Sequence, residues 1–91
     1  MGQLNDQIAI VTGAGRGIGK AIALRFAEEG AHVVCLSRTE ANAESAAAAV
    51  REKGRQAWAF AVDVSDTEKT HETAAAVLKE TGRVDILVNN A

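Results

Sequence analysis

The sequence predicts an α/β domain with an open parallel sheet of four strands and three helices. Short apolar runs alternate with amphipathic or alanine-rich stretches along the whole chain. The first run, residues 8–11, is almost continuously apolar, which is typical of a strand buried on both faces. A glycine-rich turn, residues 12–19, joins this run to the first helical stretch. Strands and helices that alternate at this spacing form a parallel sheet with right-handed crossovers.

Local patterns place the individual elements. We predict strands over residues 7–12, 31–37, 56–62 and 84–88, and helices over residues 17–29 and 40–53. Thr39 is a suitable N-cap for the second helix. A third helix is expected to end at Thr81, and Ser65 with Glu68 fits a capping box at its start.

The apolar residues of the first helix predict which of its faces meets the sheet. Ile18, Ile22 and Phe26 recur every four residues, and Ala21 lies beside them. A stripe with this spacing is typical of the buried face of an amphipathic helix. We therefore expect these four side chains to point inward.

Length, charge and composition exclude several classes of protein. The 91 residues form one domain at most, which we take as residues 1–91. The net charge of -2 and the absence of a basic block argue against nucleic acid or an anionic membrane as partner. No apolar run approaches the ~20 residues of a membrane span, and no signal peptide is visible. The single cysteine, Cys35, is expected to be buried and reduced, in a cytoplasmic protein.

The remaining candidates for metal binding or core packing favour structural roles. His32 and His71 have no acidic or cysteine neighbours at metal-ligand spacing, so we predict surface or partly buried positions and no metal site. Trp58 is expected to anchor part of the core or a helix–sheet edge.

The glycine-rich turn predicts a phosphate-binding site. Three of its four glycines, Gly13, Gly17 and Gly19, have the spacing Gly-x-x-x-Gly-x-Gly. This departs from the strict G-x-G-x-x-G pattern, because Ile18 occupies the place of the last glycine. Gly13 allows a sharp turn, Gly17 a close approach of backbone to pyrophosphate, and Gly19 tight packing of helix on sheet. Such a turn brings backbone N–H groups and the positive end of a helix dipole against a phosphate. A tight turn with a purely structural role is the alternative.

The end of the second strand indicates the cofactor. An acidic residue there would hydrogen-bond the ribose of NAD, but this sequence has Ser37 and Arg38, with Arg16 in the first loop. Two guanidinium groups and a hydroxyl suit a 2′-phosphate, so we favour NADP, with NAD as the alternative. Glu40 as a ribose ligand and Arg38 as a solvated loop charge are the other possibilities. The missing acidic residue also argues against a methyltransferase-like nucleotide fold.

Three segments resemble the short-chain dehydrogenase/reductase family, and in particular its bacterial beta-ketoacyl-acyl carrier protein reductases. They are residues 8–19 (IAIVTGAGRGIG), the pair Asp63-Val64, and residues 85–91 (DILVNNA), in the family's order and at its distances. The resemblance covers all 91 residues. It implies a Rossmann fold cut after four strands, in the sheet order 3-2-1-4, and hydride transfer between a nicotinamide and a carbonyl or alcohol carbon.

The resemblance also implies roles for single residues. Asp63 would accept from the adenine amine while Val64 packs on the ring, and a local turn cap is the alternative for Asp63. Asn89 and Ala91 would line the adenosine ribose, and the asparagines would tie neighbouring strands. The complete predicted cofactor site is Gly13, Gly15, Arg16, Gly17, Ile18, Gly19, Ser37, Arg38, Asp63, Val64, Asn89 and Ala91.

No residue of the chain is assigned a catalytic role. The family's proton donor is a tyrosine in a Tyr-x-x-x-Lys motif, with a serine and an asparagine nearby, and this sequence contains no tyrosine. It also ends before the expected place of the serine. We therefore expect the cofactor-binding half of an NADP-dependent reductase that is not catalytically competent by itself.

The fourth predicted strand suggests an alternative function. Val84, Ile86, Leu87 and Val88 would form an apolar open edge if no further strand follows. Exposed edges of this kind pair with other chains. The alternative is a non-catalytic folding or assembly module that forms homo-oligomers through this edge.

Overall fold

The computed structural model describes residues 4–14, 17–63 and 65–89. Within these residues, four strands alternate with three helices. The elements are β1 (Ile8–Thr12), α1 (Gly17–Glu28), β2 (His32–Ser37), α2 (Glu40–Glu52), β3 (Ala57–Ala61), α3 (Thr67–Thr81) and β4 (Ile86–Val88). No helix in the described part of the chain combines the length and the apolar character needed to cross a membrane.

The strands form one parallel sheet in the order β3-β2-β1-β4. In the middle of the sheet, Ile10 of β1 lies between Val34 of β2 and Leu87 of β4. The predicted α/β class and the order 3-2-1-4 are therefore confirmed. Because parallel neighbours cannot be joined by a tight turn, a helix carries the chain from each strand to the next.

The bounds of the elements differ from the predicted ones by one or two residues. In β4, the strand begins at Ile86 instead of residue 84, and Asp85 explains the difference. Its carboxylate Oδ2 accepts the Ile8 N–H at 2.8 Å, and its own N–H donates to the Ile8 carbonyl at 2.9 Å. The side chain thus takes the place of a backbone acceptor at the start of β1.

The predicted inward face of α1 is only partly correct. Ile18 is 73% exposed and Ala21 is exposed, while Ile22 and Phe26 lie half-buried at the margin of the core. The buried residues of α1 are small and lie one position further along: Gly19, Ala23 and Ala27. Where a helix lies close to a sheet, only small side chains fit between them, and larger ones pack at the sides.

The N-cap of α3 also differs from the prediction. Asp66, not Ser65, caps the helix, and its side chain accepts from the Lys69 N–H at 3.1 Å. Ser65 instead donates its N–H and its hydroxyl to Asp63. Aspartate and serine are equally good caps, so the prior engagement of Ser65 decides between them. The predicted cap of α2, Thr39, is confirmed by a bond from the Asn42 N–H at 3.3 Å.

The two faces of the sheet are covered unequally. One face packs against α1 and α2, and the cluster there contains Val11, Ala14, Ala23, Ala27, Val33, Cys35, Ala46, Ala47, Val50 and Ala57. The other face packs against α3 and contains Ile8, Val34, Leu36, Val62 and Val77. Cys35 is fully buried, as predicted, and desolvation raises the pKa of its thiol to about 12. The thiol is therefore protonated and packs as a small apolar group.

The histidine and the tryptophan of the sheet have structural contacts. His32 is half-buried; its Nδ1 accepts the Gln56 N–H at 2.9 Å, and its Nε2 lies 3.3 Å from Asp6 Oδ1. Trp58 is half-buried against the cluster under α3, where we expected a core or edge anchor. His71 is exposed on α3. Among the residues that the structure describes, no group of three or more His, Cys, Asp or Glu side chains could hold a metal ion.

Candidate functional site

The predicted site residues lie where the strands end. Gly13, Arg38 and Asn89 directly follow β1, β2 and β4, and Asp63 lies two residues beyond β3. Because the strands are parallel, these positions share one edge of the sheet. β2 and β3 lie on one side of β1, whereas β4 lies on its other side, so the side on which successive strands are added changes at β1. In open α/β sheets, a crevice outside the carboxyl ends of the strands at such a switch point binds ligands.

The turn between β1 and α1 has the backbone geometry of a glycine loop. Gly13 and Gly17 have φ values of 64° and 62°, in the left-handed region that other L-residues rarely adopt. A Cβ on Gly17 would meet nothing within 4 Å, so conformation and not crowding makes glycine suitable there. The Ala14 N–H donates to the Leu36 carbonyl at 3.0 Å and fixes the turn to β2.

The N-terminus of α1 lies directly behind this turn. Its first turn contains no acidic residue, so no carboxylate of its own offsets the positive end of the helix dipole. The first N–H groups of any helix lack intrahelical acceptors. Ile18 exposes its side chain beside the turn, and Gly19 is buried in the contact between α1 and the sheet.

The guanidinium group of Arg38 is exposed to solvent at the end of β2. The Arg38 side chain is 81% exposed, and its Nη2 lies 3.9 Å from Asp63 Oδ2. The Ser37 hydroxyl accepts from the Thr39 N–H at 3.4 Å, which starts the turn into α2. The Arg38 guanidinium and the Ser37 hydroxyl therefore lie at the same edge of the sheet as the glycine loop.

Asp63 forms a local turn. Its Oδ1 accepts from the Ser65 N–H at 3.0 Å and from the Ser65 hydroxyl at 2.7 Å. These hydrogen bonds, and the nearby Arg38 guanidinium, lower the pKa of the Asp63 carboxyl below its ordinary value. The local turn that we gave as the alternative for Asp63 is present, and Oδ2 still faces Arg38.

Asn89 contacts the neighbouring strand. Its Oδ1 lies 3.2 Å from the hydroxyl of Thr12, which also lies 3.3 Å from the Val88 carbonyl. Thr12 is a buried polar residue at the end of β1. The contact ties β1 to β4 at the site, which is the role that the resemblance implies for Asn89.

Comparisons with known proteins agree with this geometry. A family model for the short chain dehydrogenase matches residues 7–91. The chain belongs to this family. An uncharacterized oxidoreductase of Mycobacterium tuberculosis is 42% identical over 91 residues, which are 100% of this chain and 35% of that protein. A short-chain dehydrogenase/reductase homolog of Bacillus subtilis is 44% identical over 87 residues, 94% of this chain and 80% of that protein.

A solved structure of the same fold gives similar numbers. NAD⁺-bound xylitol dehydrogenase matches with a TM-score of 0.94 and 42% identity, over 98% of this chain and 34% of that one. The chain thus spans about a third of the length of the mycobacterial oxidoreductase and of xylitol dehydrogenase. The finer resemblance to beta-ketoacyl-acyl carrier protein reductases stays a prediction.

Some predicted residues lie outside the part of the chain that the structure describes. They are the cofactor-site residues Gly15, Arg16, Val64 and Ala91, and Asn90, the second of the asparagines expected to tie neighbouring strands. The sequence analysis assigns no role to two residues whose side chains connect neighbouring strands. Thr12 ties β1 to β4 at the site, and Asp85 does so at the opposite edge. The sequence signal for both is a polar residue at the end of an apolar strand. A polar side chain in such a position is buried only if it is hydrogen-bonded, so a bond to the neighbouring strand could have been predicted.

Proposed function

We propose that this chain, as a single unit over residues 1–91, is the NADP-binding part of a short-chain dehydrogenase/reductase. The observation that carries the proposal is Arg38, exposed beside Ser37 at the end of β2 and at the same sheet edge as the glycine loop. A carboxylate in this place would favour the free ribose hydroxyls of NAD. A guanidinium favours a 2′-phosphate, to which it donates charge-assisted and bidentate hydrogen bonds.

The glycine loop is the proposed site for the pyrophosphate. Gly13, Gly15 and Gly17 keep side chains away from the approaching phosphates, and α1 supplies N–H groups and its dipole. The first turn of α1 has no carboxylate that would repel them. Gly19 lets α1 lie close to the sheet, and Arg16 is the proposed second cation for the 2′-phosphate.

The adenosine part is proposed to bind between the ends of β2, β3 and β4. By family resemblance, Asp63 accepts from the adenine amine and Val64 packs on the ring, while Asn89 and Ala91 line the ribose. The exposed side chain of Ile18 offers an apolar contact beside the loop.

The proposed role of this chain in the reaction is to hold and orient the cofactor. NADPH, when bound, supplies a hydride to a carbonyl carbon, and NADP⁺ accepts one from the matching alcohol. The substrate must also exchange a proton, and the chain contains no tyrosine to act as the family's donor. We therefore propose that the chain binds the cofactor without turnover. The single buried Cys35 fits a reducing, cytoplasmic location.

NAD is the alternative cofactor. The solved xylitol dehydrogenase with 42% identity to this chain is described as NAD⁺-bound. Loop, helix and adenine contacts serve either dinucleotide, so only the groups at the end of β2 distinguish them.

Calorimetric titration of the chain with each dinucleotide tests the proposal. We expect NADP to bind about ten-fold or more tightly than NAD, since hydrogen bonds to a charged group contribute about 1.5–3 kcal/mol. Adenosine 2′,5′-bisphosphate should likewise bind more tightly than adenosine 5′-monophosphate. If NAD binds as tightly as NADP or more tightly, NAD is the cofactor. If none of the ligands binds, the proposed cofactor-binding function is wrong.

A second candidate function is self-assembly through β4. Leu87 is 66% exposed on this strand, which has β1 as its neighbour on one side and lies last in the described sheet. Ile86 and Val88 add two half-buried apolar residues. We propose a second copy of the chain as the partner, through pairing at this edge.

Light scattering after size exclusion tests the assembly function. We expect a dimer or larger species at high concentration and a monomer for Leu87→Lys, because an edge lysine opposes strand pairing. The matched control is Leu78→Lys on α3, also an exposed leucine, which should leave the oligomer intact. A folded wild-type monomer at high concentration would contradict this function.

A further inference from the structure

The ends of β2 and β3 bring a cation and an anion together. The Val62 N–H donates to the Ser37 carbonyl at 2.8 Å, so the two strands stay paired to their last residues. Arg38 and Asp63 each follow directly after this pair. The Arg38 Nη2 lies 3.9 Å from Asp63 Oδ2.

The Asp63 carboxylate is held in one orientation. Both hydrogen bonds from Ser65 go to Oδ1, at 3.0 Å and 2.7 Å. The other oxygen, Oδ2, is the one that faces the guanidinium. The hydrogen bonds also favour the ionised carboxyl, whose pKa lies below its ordinary value. Arg38 therefore has a fixed negative partner at neutral pH.

We propose that Asp63 limits the chain's preference for a 2′-phosphate by competing with that phosphate for Arg38. This inference rests on the proposed function, in which Arg38 binds the 2′-phosphate. The phosphate must draw the guanidinium away from Oδ2, and it must also approach a negative charge that Ser65 keeps in place. A cofactor without the 2′-phosphate encounters neither obstacle. Asp63 thus acts as a specificity-determining residue through Arg38.

The expected size of the effect follows from the exposure of the pair. Arg38 is 81% and Asp63 48% exposed, and exposed ion pairs contribute little to folding. Loss of the pair is therefore expected to leave stability nearly unchanged. Without the pair, the affinity for a ligand with a 2′-phosphate, relative to the same ligand without it, should change about two- to five-fold. This range corresponds to the free energy of exposed ion pairs.

The substitution Asp63→Asn separates the charge of the side chain from its turn. Asparagine keeps the Oδ1 acceptor for Ser65 but replaces Oδ2 by an amide that cannot pair with Arg38. The probes are adenosine 2′,5′-bisphosphate and adenosine 5′-monophosphate, which share every group except the 2′-phosphate. The ratio of their dissociation constants cancels any change in the adenine contact. We expect Asp63→Asn to raise the preference for the bisphosphate about two- to five-fold, less at high salt.

Two further variants make the test specific. Glu68→Gln removes the same charge from the first turn of α3 and should leave the ratio unchanged. In an Arg38→Gln background, Asp63→Asn should change the ratio less than in the wild type, as a double-mutant cycle requires for coupled residues. An equal change in both backgrounds, or no increase with Asp63→Asn, overturns the inference. If the wild type then still prefers the bisphosphate, the proposed function stands and only the inference fails. If neither the wild type nor Asp63→Asn prefers the bisphosphate, the inference and the proposed function are both wrong.

Discussion

Arg38→Ala is expected to abolish the preference of the chain for NADP over NAD. Hydrogen bonds to a charged group contribute about 1.5–3 kcal/mol, so NADP affinity should fall about 10- to 100-fold. NAD lacks the 2′-phosphate, and its affinity should change by less than about two-fold, as for other exposed substitutions. Isothermal titration calorimetry with both dinucleotides measures this difference directly.

Two comparisons show whether the loss comes from the 2′-phosphate contact. Arg38→Lys keeps the charge but not the planar, bidentate donor group, so an intermediate loss is expected. Arg25→Ala removes an exposed arginine of α1 that pairs with Glu29 at 3.0 Å, and it should leave the ratio of the two affinities unchanged. An equal loss of NADP and NAD affinity in Arg38→Ala would show that Arg38 is not a ligand of the 2′-phosphate.

The placement of most candidate residues at one sheet edge could be predicted from the sequence. Alternating strands and helices imply parallel strands, and the residues after parallel strands meet at the same edge. The predicted ends of the strands therefore suffice to place Gly13, Arg38 and Asn89 at that edge. This part of the fold depends on short-range patterns, which the sequence contains.

Lateral contacts between elements could not be predicted in the same way. The approach of Arg38 to Asp63 requires β2 and β3 to be neighbours in register, with Ser37 beside Ala61. The choice of Asp66 over Ser65 as helix cap depends on Asp63, which already accepts both donors of Ser65. Both features arise from packing of residues that the local pattern treats separately.

The predicted inward face of α1 is only partly correct for a related reason. The four-residue spacing of large apolar residues correctly indicated a helix, but size and closeness to the sheet decide which side chains lie inside. The contact between α1 and the sheet excludes large side chains, so Ala23 and Ala27 are buried and Ile18 is not. Hydrophobicity alone ranks these residues in the opposite order.

Ala23→Leu is therefore expected to destabilise the fold strongly. Ala23 is fully buried in the cluster that includes Val11 and Val33, and no space is available for three further carbon atoms without displacing α1. Overpacking of this kind typically costs about 1–3 kcal/mol. For a domain of this size, each kcal/mol lowers the melting temperature by about 4–8 °C. Thermal unfolding followed by circular dichroism gives the shift.

Ala21→Leu is the matched control, because it introduces the same side chain two residues earlier on the same helix. Ala21 is exposed, so its replacement should change stability by less than about 0.5 kcal/mol. A large loss with Ala21→Leu and a small one with Ala23→Leu would instead support the face that the sequence predicted. Because α1 also presents its N-terminus to the glycine loop, the displacement in Ala23→Leu should weaken NADP and NAD binding equally. That equal loss separates an effect on the shared phosphate site from the NADP-specific loss expected for Arg38→Ala.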